Sequence, residues 1–227
     1  LNSPSNPTGR VLGVEHLAKV VDWARSRGAI VVSDECYAEL PWGEQWVREG
    51  VPSLLDDRVC GGDYTNLLVL HSASKQSNLA GYRAAFAAGD PRLINQILQV
   101  RRHTGMMMPG PIQAALQVAV SDDAHVAQQR EVYRARRDIL LAAVQAAGLI
   151  VEPECEAGLY LWARHADPES TVGGRELVAA LAERGILVAP GEFYGTGGSR
   201  HVRIAFTATD ERVAAAAQRL HESPLRV

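Results

Sequence analysis

Two short apolar runs bound what this chain can fold into. AIVVS (residues 29–33) and NLLVLH (66–71) are too short for helices, rich in branched aliphatic side chains and flanked by polar residues, the pattern of buried strands. Before the first run, segment 14–27 places Leu17, Val20, Val21 and Ala24 on one helical face, and Gly28 stands where a helix stop is expected. YRAAFAAG (82–89) reads as a third strand. Between the first two runs, residues 39–63 hold prolines, glycines and two tryptophans and read as a long irregular excursion. Strands alternating with helices in this way predict an α/β unit with a mostly parallel sheet.

From Pro91 the texture turns helical. Helices are predicted over 91–103, with proline in the first turn, over 111–120, and over 123–147, with acidic residues at the start. Beyond Gly148, short strands are expected at 149–152, 158–163, 186–189 and 201–206, with helices at 174–184 and 210–221. That second part reads as a smaller α+β unit entered through the long helix. The expected division is residues 1–135 as part of a large domain and 136–227 as a small one.

Composition narrows the function classes. A net charge of −3 over 227 residues gives no general attraction to nucleic acid or anionic membrane, and no apolar run is long enough to span a bilayer. Cys36, Cys60 and Cys155 are odd in number and widely spaced, which predicts free thiols in a reducing, cytoplasmic setting. The chain opens at Leu1 and runs at once into NSPSNPTG, which suggests a piece of a longer protein.

The polar residues at the strand ends carry the chemistry. Lys75 follows NLLVLH within HSASKQSNLAGYR. Taken alone it reads as a surface loop lysine, but desolvation there would make its amine a nucleophile toward carbonyls. Ser72 and Ser74 are short hydrogen-bond donors beside it, and Arg83 is a permanent cation suited to bidentate phosphate binding. An amine, hydroxyls and a guanidinium in one short stretch suit a phosphorylated carbonyl compound, and pyridoxal 5′-phosphate is the obvious candidate. Its ring nitrogen needs an acidic partner. Asp34 closes the AIVVS strand, where ligands of open α/β sheets bind, with Glu35 as a rival carboxylate. Tyr37, three residues on, and the Asn6 amide in NPTG could reach the cofactor's phenolic oxygen. In HVRIAF, alternation puts His201, Arg203 and Ala205 on one strand face, so Arg203 could meet a carboxylate through two parallel hydrogen bonds. Read alone, Arg203 is an edge-strand charge facing water. PGEFYG (190–195) is expected to form a mobile turn near the substrate. Arg130, Arg134, Arg136 and Arg137 on the long helix read as a solvated face.

Taken together, NPTG (6–9), SDECY (33–37), SASK (72–75), GYR (81–83), AGLYLW (157–162), PGEFYG and HVRIAF (201–206) resemble the class I/II aminotransferases of pyridoxal-phosphate fold type I. The likeness covers almost the whole chain. It implies Lys75 as the cofactor's covalent anchor, Asp34 as ring-nitrogen partner, and Tyr37 and Asn6 at the phenolic oxygen. Ser72 and Arg83, with Ser74 as a weaker candidate, would bind the phosphate, and Arg203 the substrate's α-carboxylate. The wording SKQSNLAGYR is similar to the actinobacterial type of N-succinyldiaminopimelate aminotransferase. That implies amino-acid and 2-oxo-acid substrates in lysine biosynthesis, and a homodimer as the full-length form. Two other readings stay open: a related carbon–sulfur β-lyase, which uses the same lysine, aspartate and arginine, and the aminotransferase-like effector domain of a transcriptional regulator, in which the cofactor is a sensed ligand. Members of the family carry an N-terminal half with further cofactor contacts, so this segment alone is expected to bind the cofactor poorly.

Overall fold

The structure is a computed structural model and describes residues 1–223 and 225. Its contacts divide the chain into two compact units. One comprises Leu1–Pro4 with Val11–Arg130, and the other Ser5–Arg10 with the chain from Glu131 onward.

The first unit begins with α1 (Val14–Arg27), which buries Leu17, Val21 and Ala24. Gly28 ends the helix in the left-handed conformation, φ 61°, its N–H satisfying the Ala24 and Arg25 carbonyls. Strand β1 (Val31–Asp34) follows, then the short helices α2 (Glu44–Glu49) and α3 (Asp57–Cys60) inside the stretch expected to be irregular. Strand β2 (Leu67–Ser72) runs straight into α4 (Ala73–Gln76), and β3 (Ala85–Gly89) completes a sheet of order β1-β2-β3. β1 and β2 are parallel, with Val31 opposite Leu67 and Asp34 opposite Leu70, whereas β3 is antiparallel to β2. The third strand is shorter than expected because residues 80–82 form a 3₁₀ turn and Arg83 is left-handed, φ 54°. Helices α5 (Pro91–His103) and α6 (Gly110–Val120) follow, and α7 (Asp123–Ala146) carries the division between the units.

Leu17, Val21, Val31, Leu54, Val59, Leu67 and Val69 form one apolar cluster that joins α1 and α3 to the sheet. On the opposite face Leu68 is covered at 5% exposure, but Ile30, Val32 and Leu70 are 52%, 40% and 39% exposed, and on β3 Phe86 is 40% exposed, so the near-continuous apolar runs overstate the burial within this unit.

The second unit contains β4 (Leu149–Val151), β5 (Tyr160–His165), α8 (Gly174–Glu183), β6 (Ala189–Pro190), β7 (His201–Ala205) and α9 (Asp210–Glu222). Its sheet is antiparallel throughout, in the order β4-β5-β7-β6. The strand expected at 186–189 shrinks to two residues: Leu187 is 90% exposed, and Pro190 brings no donor to the ladder. Leu161, Leu177, Leu181, Phe206 and Leu220 fill the core. The α7 arginines are less solvated than their spacing suggests. The side chains of Arg136 and Arg137 are each 18% exposed, and Arg136 Nε meets Asp210 at 2.5 Å, pinning α7 to the start of α9.

Residues Ser5–Arg10 group with this unit rather than with the 1–135 segment because the Gly9 carbonyl accepts from the N–H groups of Glu156 and Ala157 at 3.1 and 3.0 Å. Gly9 has φ 72°, and a Cβ there would lie 2.7 Å from the Ala157 carbonyl oxygen. The glycine of NPTG is therefore required by left-handed backbone and by close approach together. Among the described residues, no helix is long and apolar enough to cross a membrane, and no group of three or more His, Cys, Asp or Glu could hold a metal ion.

Candidate active site

Because β1 and β2 are parallel neighbours, their C-terminal ends lie side by side, and each ends in chemistry-bearing residues. Asp34 closes β1. Its backbone is fixed on one side by residues 1–3: its N–H donates to the Leu1 carbonyl, and its carbonyl accepts from Ser3 N–H, both at 3.1 Å. The Asp34 carboxylate accepts the Cys36 N–H at 3.1 Å and is half-buried. Glu35 turns the other way. It is 4% exposed, its Oε1 accepts Leu54 N–H at 2.8 Å, and burial raises its carboxyl above the ordinary range. Glu35 is thereby committed to the core, which leaves Asp34 as the carboxylate at the strand end. Burial, and then the Asp34 carboxylate, push the Cys36 thiol up to about 12.

Lys75 lies in α4, immediately past β2, and is half-buried. Its Nζ sits 5.9 Å from the centroid of the Tyr37 ring, itself only 6% exposed, so the amine, the phenol and the β1 carboxylate belong to one end of the sheet. Ser72 caps α4: its Oγ accepts Ser74 N–H at 3.1 Å and lies 2.8 Å from Ser74 Oγ and 3.1 Å from the Ala84 carbonyl. The Ser72 hydroxyl can donate to only one of those last two neighbours at a time, and Ser72 is buried whereas Ser74 is partly exposed. Arg83 is exposed and spends one N–H on the Ala80 carbonyl at 3.1 Å, keeping the rest of its guanidinium for other acceptors.

One element of this region is absent from the sequence reading. Ser77, two residues past Lys75, has its Oγ 2.9 Å from His125 Nε2, and His125 Nδ1 lies 3.2 Å from Asp122 Oδ2. Asp122 also accepts the Ala124 N–H at 2.9 Å, capping α7. The lysine-bearing turn is thus tied to a helix start 48 positions away, a separation that no local motif reveals.

In the second unit, Arg203 projects from β7, which lies between β5 and β6 and is not an edge strand. Val202 and Ile204 face the core at 0% and 3% exposure while His201, Arg203 and Ala205 take the opposite face, as the alternation predicts. Arg203 Nη1 donates to Asn6 Oδ1 at 2.9 Å, and its Cζ lies 4.0 Å from the Tyr160 ring centroid and 5.1 Å from that of Tyr194. Arg203 Nε is shielded from water and, among the described residues, meets no hydrogen-bond partner. A buried guanidinium N–H left unpaired is costly unless an acceptor arrives, and a carboxylate meets an arginine edge through two parallel bonds.

The PGEFYG turn is a 3₁₀ turn tied down at both ends. A Cβ on Gly191 would come 2.7 Å from the Trp162 ring, and Tyr194 packs edge-on to that ring at 5.9 Å. Between them Phe193 is 71% exposed. On its other side, Trp162 stacks on His201 at 4.8 Å and 2°, and His201 Nε2 and Arg164 Nε both meet Glu152 Oε1, at 2.9 and 2.7 Å. Burial alone would raise the Glu152 carboxyl, but hydrogen bonds from His201 and Arg164 outweigh it and hold it low.

The first unit's donor set fits pyridoxal phosphate: a strand-end carboxylate for a ring nitrogen, a buried phenol, a half-buried amine, and a hydroxyl and guanidinium for a phosphate. Comparison with known proteins agrees. Residues 1–220 match the family described as aminotransferase class I and II. Over 220 residues the chain is 58% identical to a protein of Mycobacterium tuberculosis described as a probable aminotransferase, covering 97% of this chain and 50% of that protein. It is 55% identical to the 4-dedimethylamino-4-oxo-anhydrotetracycline transaminase of Streptomyces rimosus, covering 97% of this chain and 58% of that enzyme. A solved structure described as a probable N-succinyldiaminopimelate aminotransferase from Thermus thermophilus superposes with TM-score 0.78 at 30% identity, covering 97% of this chain and 57% of that one. The chain therefore spans about half the length of these relatives, and its fold class is that of fold type I.

Proposed function

The chain belongs to the class I and II aminotransferase family, and from that premise we propose that the protein carrying it moves an amino group between an amino acid and a 2-oxo acid with pyridoxal phosphate. The observation that carries this reading is the half-buried Lys75 over the Tyr37 ring, in the turn of helix that follows the strand beside the one Asp34 closes.

Bound there, pyridoxal phosphate supplies an electron sink for the bond broken at the substrate's α-carbon. Lys75 would hold it through Nζ, and that amine is the group that would take the proton from the substrate's α-carbon and return it, as general base and then general acid. Asp34 keeps the ring nitrogen protonated, Tyr37 and Asn6 donate to the phenolic oxygen, and Ser72, Ser74 and Arg83 hold the phosphate. The enclosure of Ser72 favours Ser74 and Arg83 as its principal donors. Arg203 binds the substrate carboxylate through its unpaired Nε edge.

For the substrates, N-succinyl-L,L-diaminopimelate as donor and 2-oxoglutarate as acceptor are supported by the SKQSNLAGYR wording and by the likeness to the Thermus protein. The 55% identity to a transaminase of an oxo-anhydrotetracycline supports a second reading, a larger oxo compound as acceptor. A cytoplasmic homodimer is the proposed setting. Paired assays with the two acceptor classes separate the readings. In the holoenzyme, Lys75→Ala should abolish turnover, and near-normal activity of that variant is incompatible with the proposed mechanism.

A further inference from the structure

Arg203 has a water-shielded Nε on the second unit's sheet face, and the groups beside its guanidinium are aromatic. Tyr160 lies on β5 beside it and Tyr194 ends the PGEFYG turn, with ring centroids 4.0 and 5.1 Å from the guanidinium carbon. The cation needs orienting. Asn6 fixes only Nη1, a single hydrogen bond about which the guanidinium plane remains free to turn. Two ring faces against the planar guanidinium remove that freedom, because the attraction of a cation to a π face falls as the plane tilts away.

The second tyrosine is itself held. Tyr194 packs edge-on to Trp162 at 5.9 Å and 86°, and Trp162 is backed by the His201 ring that Glu152 anchors. Gly191 keeps the turn against the same indole, since a Cβ there would also lie 2.3 Å from the Gly198 carbonyl oxygen. The aromatic wall is therefore attached to the sheet through several contacts.

We infer that Tyr160 and Tyr194 are positioning residues that orient Arg203 and direct its unpaired Nε edge toward a ligand carboxylate. The inference rests on the reading of Arg203 as the carboxylate-binding residue. It makes substrate selection by this site a matter of guanidinium orientation as well as charge: substrates bearing a carboxylate gain from the wall, and amines lacking one do not. Neither tyrosine needs its hydroxyl for this role, because the ring face carries the interaction.

The test uses the holoenzyme with Tyr160→Leu, Tyr194→Leu and the corresponding phenylalanine variants. Each leucine variant should raise KM for carboxylate-bearing amino acids by about three- to thirtyfold, with kcat little changed, and leave the half-reaction of a carboxylate-free primary amine unaltered. The phenylalanine variants should stay close to wild type. In parallel, the arginine Nε–H signals are followed by ¹⁵N NMR while succinate is added, with Arg203→Lys supplying the assignment. The Arg203 signal should shift on titration in wild type and need several-fold more succinate in the leucine variants. Equal losses with the carboxylate-free amine, or an unchanged succinate titration, would overturn the positioning role. If wild type shows no transamination at all, the proposed activity falls, while the succinate titration still decides the role of the tyrosines.

Discussion

Arg203 Nη1 donates to Asn6 Oδ1 at 2.9 Å across 197 positions of sequence, so the opening NPTG turn and the last strand of the sheet share one polar contact. Asn6→Ala and Arg203→Leu should therefore be strongly non-additive. Each alone should weaken succinate binding by about tenfold, and the double variant should be little worse than Arg203→Leu, a coupling of roughly 1 kcal/mol. A double-mutant cycle by titration calorimetry measures it, and simple additivity would show that the contact does not serve binding.

Much of this was legible in the sequence because it is local. Gly28 stops α1, Pro91 opens α5, and the alternation in HVRIAF sets the face that Arg203 takes, each through chemistry within a few residues. What was not legible depends on distant partners. Asp34 and Glu35 are adjacent carboxylates, and partners distant in sequence, such as the Leu54 N–H 19 positions away, commit Glu35 to the core. The same holds for Arg136, whose partner is on α9, and for Tyr160 and Tyr194, which come together around Arg203. The apolar strands misled in the other direction, since a run of branched residues does not say whether one or both faces are covered.

Glu35 gives the protein a pH-dependent stability of definite sign. Burial raises its native carboxyl, so its protonated form is favoured by folding, and that contribution is full below the ordinary carboxylate range and is lost as pH rises through the raised native value. Glu35→Gln keeps an acceptor for Leu54 N–H without the charge. It should unfold later in urea than wild type at about pH 8, with the gap closing near about pH 4. Glu35→Ala should lose roughly 1–3 kcal/mol at either pH, because the buried Leu54 N–H is orphaned. Parallel pH profiles for wild type and Glu35→Gln would rule this out.

The thiols should be inert in the native protein. The Cys36 thiol is pushed up to about 12 by burial and by Asp34, burial also raises Cys155, and Cys60 is 2% exposed. Since the thiolate is the nucleophile, iodoacetamide at about pH 8 should modify none of the three until urea is added. Peptide mass spectrometry reads this directly, and prompt labelling of Cys36 would contradict its environment.

The Asp122–His125–Ser77 chain should govern how firmly the lysine-bearing turn is held. Ser77 follows α4 directly, and its hydroxyl contact with His125 is a side-chain tie from the 77–79 turn to α7, at 2.9 Å. Asp122 orients the ring from its other nitrogen and simultaneously caps α7, so the imidazole is fixed at both ends. Removing it in His125→Ala should cost about 1 kcal/mol locally and speed amide exchange several-fold at Leu79 and Tyr82, whose N–H groups close the turn. His125→Gln can still reach Ser77 and should restore part of the protection. Exchange confined to the α7 start, with the turn unaffected, would mean that His125 serves only the helix. Slower exchange in the wild-type turn, lost in the alanine variant and partly recovered in the glutamine variant, would place the imidazole as the strut that keeps Lys75 from swinging with its loop.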